Sequence, residues 1–301
     1  MIARQYETPA AFKMALETRL REQARTTGSD MGRLRQLLVF DRYLARLFTV
    51  FRDGVVLKGG LVLEFRLERA RTTKDIDLRM VGTPEDVLAG LQEAGRLDLK
   101  DFLQYEVQVD PEYPEILADG LPYQGRRFRA EARLAGRLYG SPFGIDIAFA
   151  EPVVGEPESV PGSAFLDFIG VEPITYRVYP VETHIAEKFH AFTLPRRRPN
   201  SRVKDLPDIA LLATSRALDA GKVRSAIEQT FRHRGTHEIP ATTPAPASEW
   251  KPFYERIASA DDLPWKTIED LADAVRRFID PLLGGVAGTW SPRDWTWSQH
   301  D

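Results

Sequence analysis

Asp75 and Asp77 stand one residue apart in Asp75-Ile76-Asp77-Leu78, where carboxylates alternate with aliphatic side chains. Alternation at period two marks a half-buried strand, so both carboxylates face one side while Ile76 and Leu78 bury on the other. Two like charges on one strand edge repel, and the simplest partner for a hard, all-oxygen pair is Mg²⁺. Upstream, the apolar run at 55–57 meets Lys58-Gly59-Gly60, a tight turn from a strand into an amphipathic stretch. Arg71 and Thr73 lie just before the aspartates. Thr73 is two residues from Asp75 and is expected to share its face, where its hydroxyl suits a phosphate oxygen as well as threonine suits any strand. Taken singly, these features also fit an ordinary turn and solvated charges on an edge strand.

Further carboxylates and cations lie downstream. Asp146 sits inside the apolar run 143–149, flanked by Ile145 and Ile147. Burying it unpaired is costly, so it must face a cation, a donor or water. In the stretch 179–191 a helix turns Ile185 and Phe189 inward and puts His184 and Lys188 one turn apart on a shared face. Lys204 and Asp208 are i,i+4 neighbours at the next helix start, with Asp205 and Asp208 three apart. Acidic residues are also expected there on dipole grounds alone.

A strand, a Gly-Gly turn into a helix and an Asp-x-Asp strand together resemble the DNA-polymerase-β-like nucleotidyltransferase superfamily. More narrowly, Lys58-Gly59-Gly60, Arg-x-Thr-x-Asp-Ile-Asp (71–77), Glu-x-x-x-Ala-Glu-Lys-x-x-Ala (182–191) and Arg-x-Lys-Asp-x-x-Asp (202–208) resemble the ordered motifs of the AbiEii/AbiGii toxin nucleotidyltransferases, the group that includes the MenT-like toxins. The resemblance spans about residues 55 to 212. It implies an α/β (α+β) protein, with a polymerase-β-like core on a mixed sheet and a mainly helical C-terminal lobe. It also implies the toxin of a toxin–antitoxin or phage-defence pair, using an NTP and Mg²⁺, whose characterised relatives attach nucleotides to the 3′ end of tRNA. By the same resemblance Gly59 and Gly60 line the triphosphate, and Lys58 beside them is a further candidate to bind it. Asp75 and Asp77 bind metal, Asp146 supplies the third acidic group, Lys188 contacts phosphate, and Asp205 or Asp208 completes the cleft; Arg71 beside the aspartates is expected to help Lys188 offset phosphate charge. Pro207 falls inside the last motif, and the order Lys204-Asp205 leaves both aspartates open for the final acidic role.

The elements that must position these residues are legible along the chain. Thr8-Pro9 starts a helix over 8–27, and a wide apolar stripe including Leu34, Leu38, Leu44 and Leu47 makes a second over 31–52. Both are expected to pack on the core without doing chemistry. Thr83-Pro84-Glu85 opens a helix to Ala94. Residues 102–109 and 124–138 alternate as strands, the second turning Phe128, Ala130, Ala132 and Leu134 to one side and Arg127, Arg129, Glu131 and Arg133 to the other. That basic face suits an edge strand protected from aggregation, or one facing RNA or phosphate. The stretch 150–173 is dense in Pro, Gly and Glu and reads as a connection, placing a boundary between a core at 1–160 and a lobe at 161–301. Helical periodicity returns over 214–234 and 265–283, with an extended loop at 240–246. Residues 195–200 read as an exposed basic loop. Arg232, His233, Arg234 and His237 form a second basic cluster, either on tRNA phosphates or solvated. Trp290, Trp295 and Trp297 cover a hydrophobic surface or stack on a nucleobase.

The 301 residues suffice for two lobes of ordinary size. The formal net charge of −3 averages an acidic background with arginine clusters such as Arg126-Arg127-Phe128-Arg129. There are no cysteines, which excludes disulfides, thiolate metal sites and a cysteine nucleophile. No stretch approaches the roughly 20 apolar residues of a membrane helix, and the N-terminus lacks an apolar signal core, so the sequence reads as a soluble cytoplasmic protein. Its expected partners are an NTP, tRNA or another RNA acceptor, and a cognate antitoxin. Two other readings keep parts of this picture: a nucleotidyltransferase acting on a small molecule, and a non-catalytic nucleotide- or partner-binding module.

Overall fold

Two helices, α1 (Pro9–Thr27) and α2 (Met31–Phe51), open the chain. Each begins at a side-chain cap: the Thr8 hydroxyl accepts from the Ala11 N–H at 3.2 Å, and the Asp30 carboxylate accepts from the Arg33 N–H at 2.8 Å. The structure, a computed structural model, describes residues 6–67, 73–116, 125–149, 153–195 and 202–298. Arg71 and the tract 196–200 lie outside the described residues.

The next segment runs β1 (Val55–Lys58), α3 (Gly60–Arg66), β2 (Asp75–Met80), α4 (Pro84–Arg96), β3 (Leu103–Val109), β4 (Glu115–Ile116), β5 (Gly125–Leu134), β6 (Arg137–Leu138), β7 (Phe143–Phe149), β8 (Glu158–Pro161) and β9 (Thr175–Val178). Among the described residues these nine strands form one sheet whose main path is β3-β5-β7-β2-β1-β9-β8, with β4 and β6 paired to β5. It is mixed, since β2 runs parallel to β7 and β1 parallel to β9, while the other pairings are antiparallel. The helical remainder follows as α5 (Val181–Thr193), α6 (Asp205–Thr214), β10 (Leu218–Asp219), α7 (Ala220–Arg234), α8 (Lys251–Ala260) and α9 (Ile268–Leu283). It closes on the hairpin β11 (Thr289–Ser291) and β12 (Thr296–Ser298).

Two apolar clusters hold these parts. One joins α1, α2 and α4 to the sheet through residues such as Leu38, Tyr43, Ile76, Phe128 and Ile145. The other joins α5, α6, α7 and α9 around Phe189, Ile209, Phe278 and Trp290, and Leu63 of α3 belongs to it. The sheet itself continues past residue 160, because β8 spans 158–161 and β9 pairs with β1, so the clusters divide near 178–181.

Several local expectations change for identifiable reasons. The single strand expected over 124–138 is a hairpin, β5 and β6, because Ala135 and Gly136 both take positive φ and reverse the chain. β5 is interior to the sheet, between β3 and β7, so its charged face is not an edge defence. Those charges pair locally, Arg133 with Glu106 at 2.8 Å and Arg127 with Asp146 at 2.6 Å. In α2, Asp41, Arg42 and Arg46 are buried; Arg46 donates to both oxygens of Asp101 at 2.6 and 2.9 Å. A charge buried so deeply is tolerable only when its partner comes with it. Trp290 is fully buried and its indole N–H donates to the Ala213 carbonyl, while Trp295 and Trp297 donate to Ala274 and Phe278 carbonyls. The tryptophan tail is thus core, stitched to α6 and α9, and not a base-stacking platform.

Candidate functional site

The sheet register assembles the site. β1 lies antiparallel to β2, β2 parallel to β7, and β7 antiparallel to β5, so one transverse row of partners reads Lys58, Asp77, Asp146, Arg127. Residues paired across strands project to the same face, so residues from four strands meet as a plus, minus, minus, plus row. Asp75 lies two residues back along β2, exposed, with its Oδ1 accepting from the Gly144 N–H at 3.2 Å.

Glycines make the close packing around this row possible. Gly59 has φ 72° and ψ −160°, a region essentially reserved for glycine, and a Cβ there would sit 1.9 Å from Asp77 Oδ2. Gly144 plays the same part for Asp75, since a Cβ would meet Asp75 Oδ1 at 2.7 Å. Gly59→Ala is therefore expected to cost about 1–3 kcal/mol in backbone strain. It should also displace the Asp77 carboxylate, lowering nucleotidyl transfer by about 10²-fold. Thermal melts read the first effect and a transfer assay the second; an alanine variant with wild-type turnover would remove Gly59 from the site.

Across the cleft stand α5 and α6. Lys188 Nζ bridges two carboxylates, Asp208 Oδ2 at 2.8 Å and Asp205 Oδ1 at 3.1 Å. Asp208 is wholly buried beneath, whereas Asp205 lines the cleft and its Oδ2 makes no hydrogen bond among the described residues. Pro207 is compatible with this geometry because it occupies the first turn of α6, where a backbone N–H has no intrahelical acceptor. The cleft, of about 210 Å³, is lined by Lys58, Gly59, Asp77 and Asp146 from the sheet, and by His184, Glu187, Lys188, Arg202, Asp205 and Arg234 from the helical side. The Asp77 carboxyl is pushed up to about 6, first by burial and then by Asp146 opposite, against the pull of Lys188 and Lys58.

Most of the candidates converge, with exceptions. Asp146 is gripped by both arms of Arg127, Nε and Nη2 each at 2.6 Å, so its charge is already met within the sheet. Thr73 precedes β2 instead of sharing its alternation; its hydroxyl turns back to donate to the Asp75 carbonyl at 3.3 Å. Gly60 begins α3, buried behind Gly59. Residues not foreseen as part of the site include His184, Glu187 and Arg234. His184 is buried, neither ring nitrogen has a hydrogen-bond partner among the described residues, and burial with Lys188 nearby holds its imidazole well below the ordinary value. Its helical spacing from Lys188 was the available signal. For Arg234 there was only membership of a basic cluster.

A profile described as nucleotidyl transferase AbiEii toxin, Type IV TA system, matches residues 42–277, most of the chain and all the cleft residues named above. The chain belongs to the AbiEii toxin nucleotidyltransferase family. Among solved structures the AbiEii-family fold seen here is similar to MenT4, the nucleotidyltransferase toxin Rv2826c from Mycobacterium tuberculosis H37Rv, with a TM-score of 0.60, 16% identity and 92% of each chain covered. It is also similar to JHP933 from Helicobacter pylori, with a TM-score of 0.50, 11% identity, and 83% of this chain and 94% of that chain covered. At such identities the likeness is one of fold. No curated protein matches the sequence. Among the described residues of this AbiEii-family chain, no helix is long and apolar enough to cross a membrane.

Proposed function

We propose that this AbiEii-family toxin transfers a nucleoside monophosphate from an NTP to an RNA acceptor, the 3′ end of tRNA, and so blocks translation until a cognate antitoxin restrains it. The observation that carries the transfer reading is the transverse row Lys58, Asp77, Asp146, Arg127 facing Lys188 and Asp205 across one cleft. Membership of the toxin family supports the antitoxin and the NTP, and the RNA acceptor and the cytoplasmic setting are proposed with them.

In nucleotidyl transfer the acceptor hydroxyl attacks the α-phosphorus in line, the new O–P bond forms as the α–β bridging bond breaks, and pyrophosphate leaves. Charge grows on the entering, leaving and equatorial oxygens, so the protein's work is positioning and neutralisation. Asp75 and Asp77 are the residues suited to a divalent cation. Asp77 is a partly buried carboxylate whose charge is costly where it stands, and the glycines beside both aspartates leave room for their carboxylates. Among the described residues no group of three or more carboxylates or imidazoles is arranged to hold a metal by itself. Mg²⁺ does not need one, since it is commonly held by one or two carboxylates together with substrate phosphates. Asp146, engaged by Arg127, serves here as the charge that raises the Asp77 carboxyl. When bound, the metal would polarise phosphoryl oxygens and ease ionisation of the attacking hydroxyl. Gly59 lets the backbone approach the substrate, Lys58 supplies positive charge at the turn, and Lys188 holds Asp205 at the cleft wall.

The test is incubation with each α-labelled NTP, Mg²⁺ and purified tRNA, with total RNA and small-molecule pools as parallel acceptors. Label is expected in tRNA and to be lost on removal of the 3′-terminal hydroxyl. Label confined to the small-molecule pool would refute the RNA acceptor.

A further inference from the structure

Glu187 is shared by two cations from different elements. Lys58 Nζ of β1 lies 3.3 Å from its Oε2, and Arg234 Nη2, the last residue of α7, lies 3.4 Å from its Oε1. The Arg127–Asp146 fork closes at 2.6 Å on both arms, and charge-assisted pairs usually close within about 2.7–2.9 Å. By that measure Arg234 holds Glu187 loosely. Lys58 and Arg234 thus meet at Glu187 on one stretch of the cleft wall, while Lys188 meets Asp205 and Asp208 on another. Two cations from different elements, Lys58 and Arg234, are therefore brought to one carboxylate at the cleft wall.

A directional hydrogen-bond chain fixes Arg234. Its Nη1 lies 3.3 Å from His190 Nδ1, and a guanidinium only donates, so that nitrogen is bare and accepts. His190 is buried, and its Nε2 then carries the proton and donates to Thr236 Oγ1 at 2.8 Å. The Thr236 hydroxyl is left to donate to His237 Nδ1 at 2.9 Å. His237 Nε2 donates to Thr193 Oγ1 at 2.8 Å, and the Thr193 hydroxyl ends the chain on the Phe189 carbonyl at 3.0 Å. Each link has one donor and one acceptor only if both imidazoles are neutral, and burial holds His237 below its ordinary value. The basic cluster at 232–237 thus divides: Arg232 and His233 are exposed, while Arg234 and His237 turn into this chain.

We infer that Arg234 contacts the phosphates of the bound nucleotide where it and Lys58 meet at the cleft wall, with His190, Thr236 and His237 as the residues that position it. The inference rests on the nucleotide reading of the cleft and adds to it where the polyphosphate lies. An arginine already oriented at the wall, on a partner shared with Lys58, can exchange a loose carboxylate contact for two phosphate oxygens without searching rotamers.

The probe is Mg²⁺-tripolyphosphate, which presents the phosphates without a base, titrated calorimetrically, with tRNA labelling by the four NTPs run alongside. Arg234→Ala is expected to weaken tripolyphosphate binding 10- to 100-fold. Thr236→Val, which leaves Arg234 in place and removes one hydroxyl, should weaken it three- to tenfold, and Thr236→Ser should restore it. In the Arg234→Ala background Thr236→Val should add nothing, because it acts through the arginine. If Arg234→Ala does not fold, Arg234→Gln takes its place in the cycle. Wild-type binding with an unaltered Arg234 variant, or equal losses from Thr236→Val in both backgrounds, overturns the inference alone. A wild type that neither binds tripolyphosphate nor labels any acceptor overturns the nucleotide reading and the inference with it.

Discussion

Asp77→Asn is expected to lower nucleotidyl transfer by on the order of 10³-fold while making the metal-free protein more stable. The two effects share a cause. The Asp77 carboxyl is pushed up to about 6 by burial and by Asp146, from an ordinary value of 3.8. Between those two values the folded state carries the proton and the unfolded state does not. Folding therefore binds protons, and stability falls as pH rises through the window from about 4 to about 6. Above it the ionised carboxylate is a standing cost of ~3 kcal/mol at a partly buried site, and an isosteric amide removes that cost. Thermal melts at pH 7.5 without metal should place Asp77→Asn above wild type by a few degrees, and the difference should vanish near pH 4. Adding Mg²⁺ and an NTP should raise the wild-type melting temperature and leave the variant unmoved. A variant that is less stable at pH 7.5, or that retains transfer, would show that this carboxylate is a structural strut.

That expectation depends on a contact invisible in the linear pattern. Period-two alternation is local chemistry, so β2, with Ile76 and Leu78 buried and its carboxylates on one face, could be read directly. So could the helix starts at Thr8 and Thr83, where a hydroxyl accepts from the third residue on. Thr73, expected to continue the strand, lies outside it, because periodicity carries no information about where the ladder begins. Asp146 could be recognised as a charge needing a partner. That the partner is Arg127, set opposite it by the β5–β7 register, is a tertiary fact. The Pro/Gly-rich stretch concealed β8 for the same reason, since its pairing to β9 is long-range. In α2, nothing in the sequence around Arg42 and Arg46 announces Asp101, which lies some 55 residues further on. Arg234 could be placed in a basic cluster but not in the cleft, because its bonds to α5 exist only once α7 has packed there.

Lys188 is where structural and chemical roles must be separated by experiment. Its ammonium is clamped between Asp205 and Asp208, and both carboxylates are buried. Lys188→Met keeps most of the stem and deletes the charge, leaving two buried anions with no lysine between them. Loss of one partner from such a pair costs about 3–5 kcal/mol, so a pronounced drop in melting temperature is expected, along with transfer reduced by about 10²-fold. Loss of activity alone would then be ambiguous. The double variant Lys188→Met/Asp208→Asn resolves it, because Asp208 is the fully buried member and an amide there needs no counter-charge. Stability should recover most of what the single variant lost, whereas transfer should stay low, since Asp205 at the cleft wall has still lost the cation that orients it. If stability and transfer return together, the lysine serves only to neutralise Asp208. Recovery of neither would mean that the lysine–aspartate cluster holds α5 to α6 through contacts an asparagine cannot make.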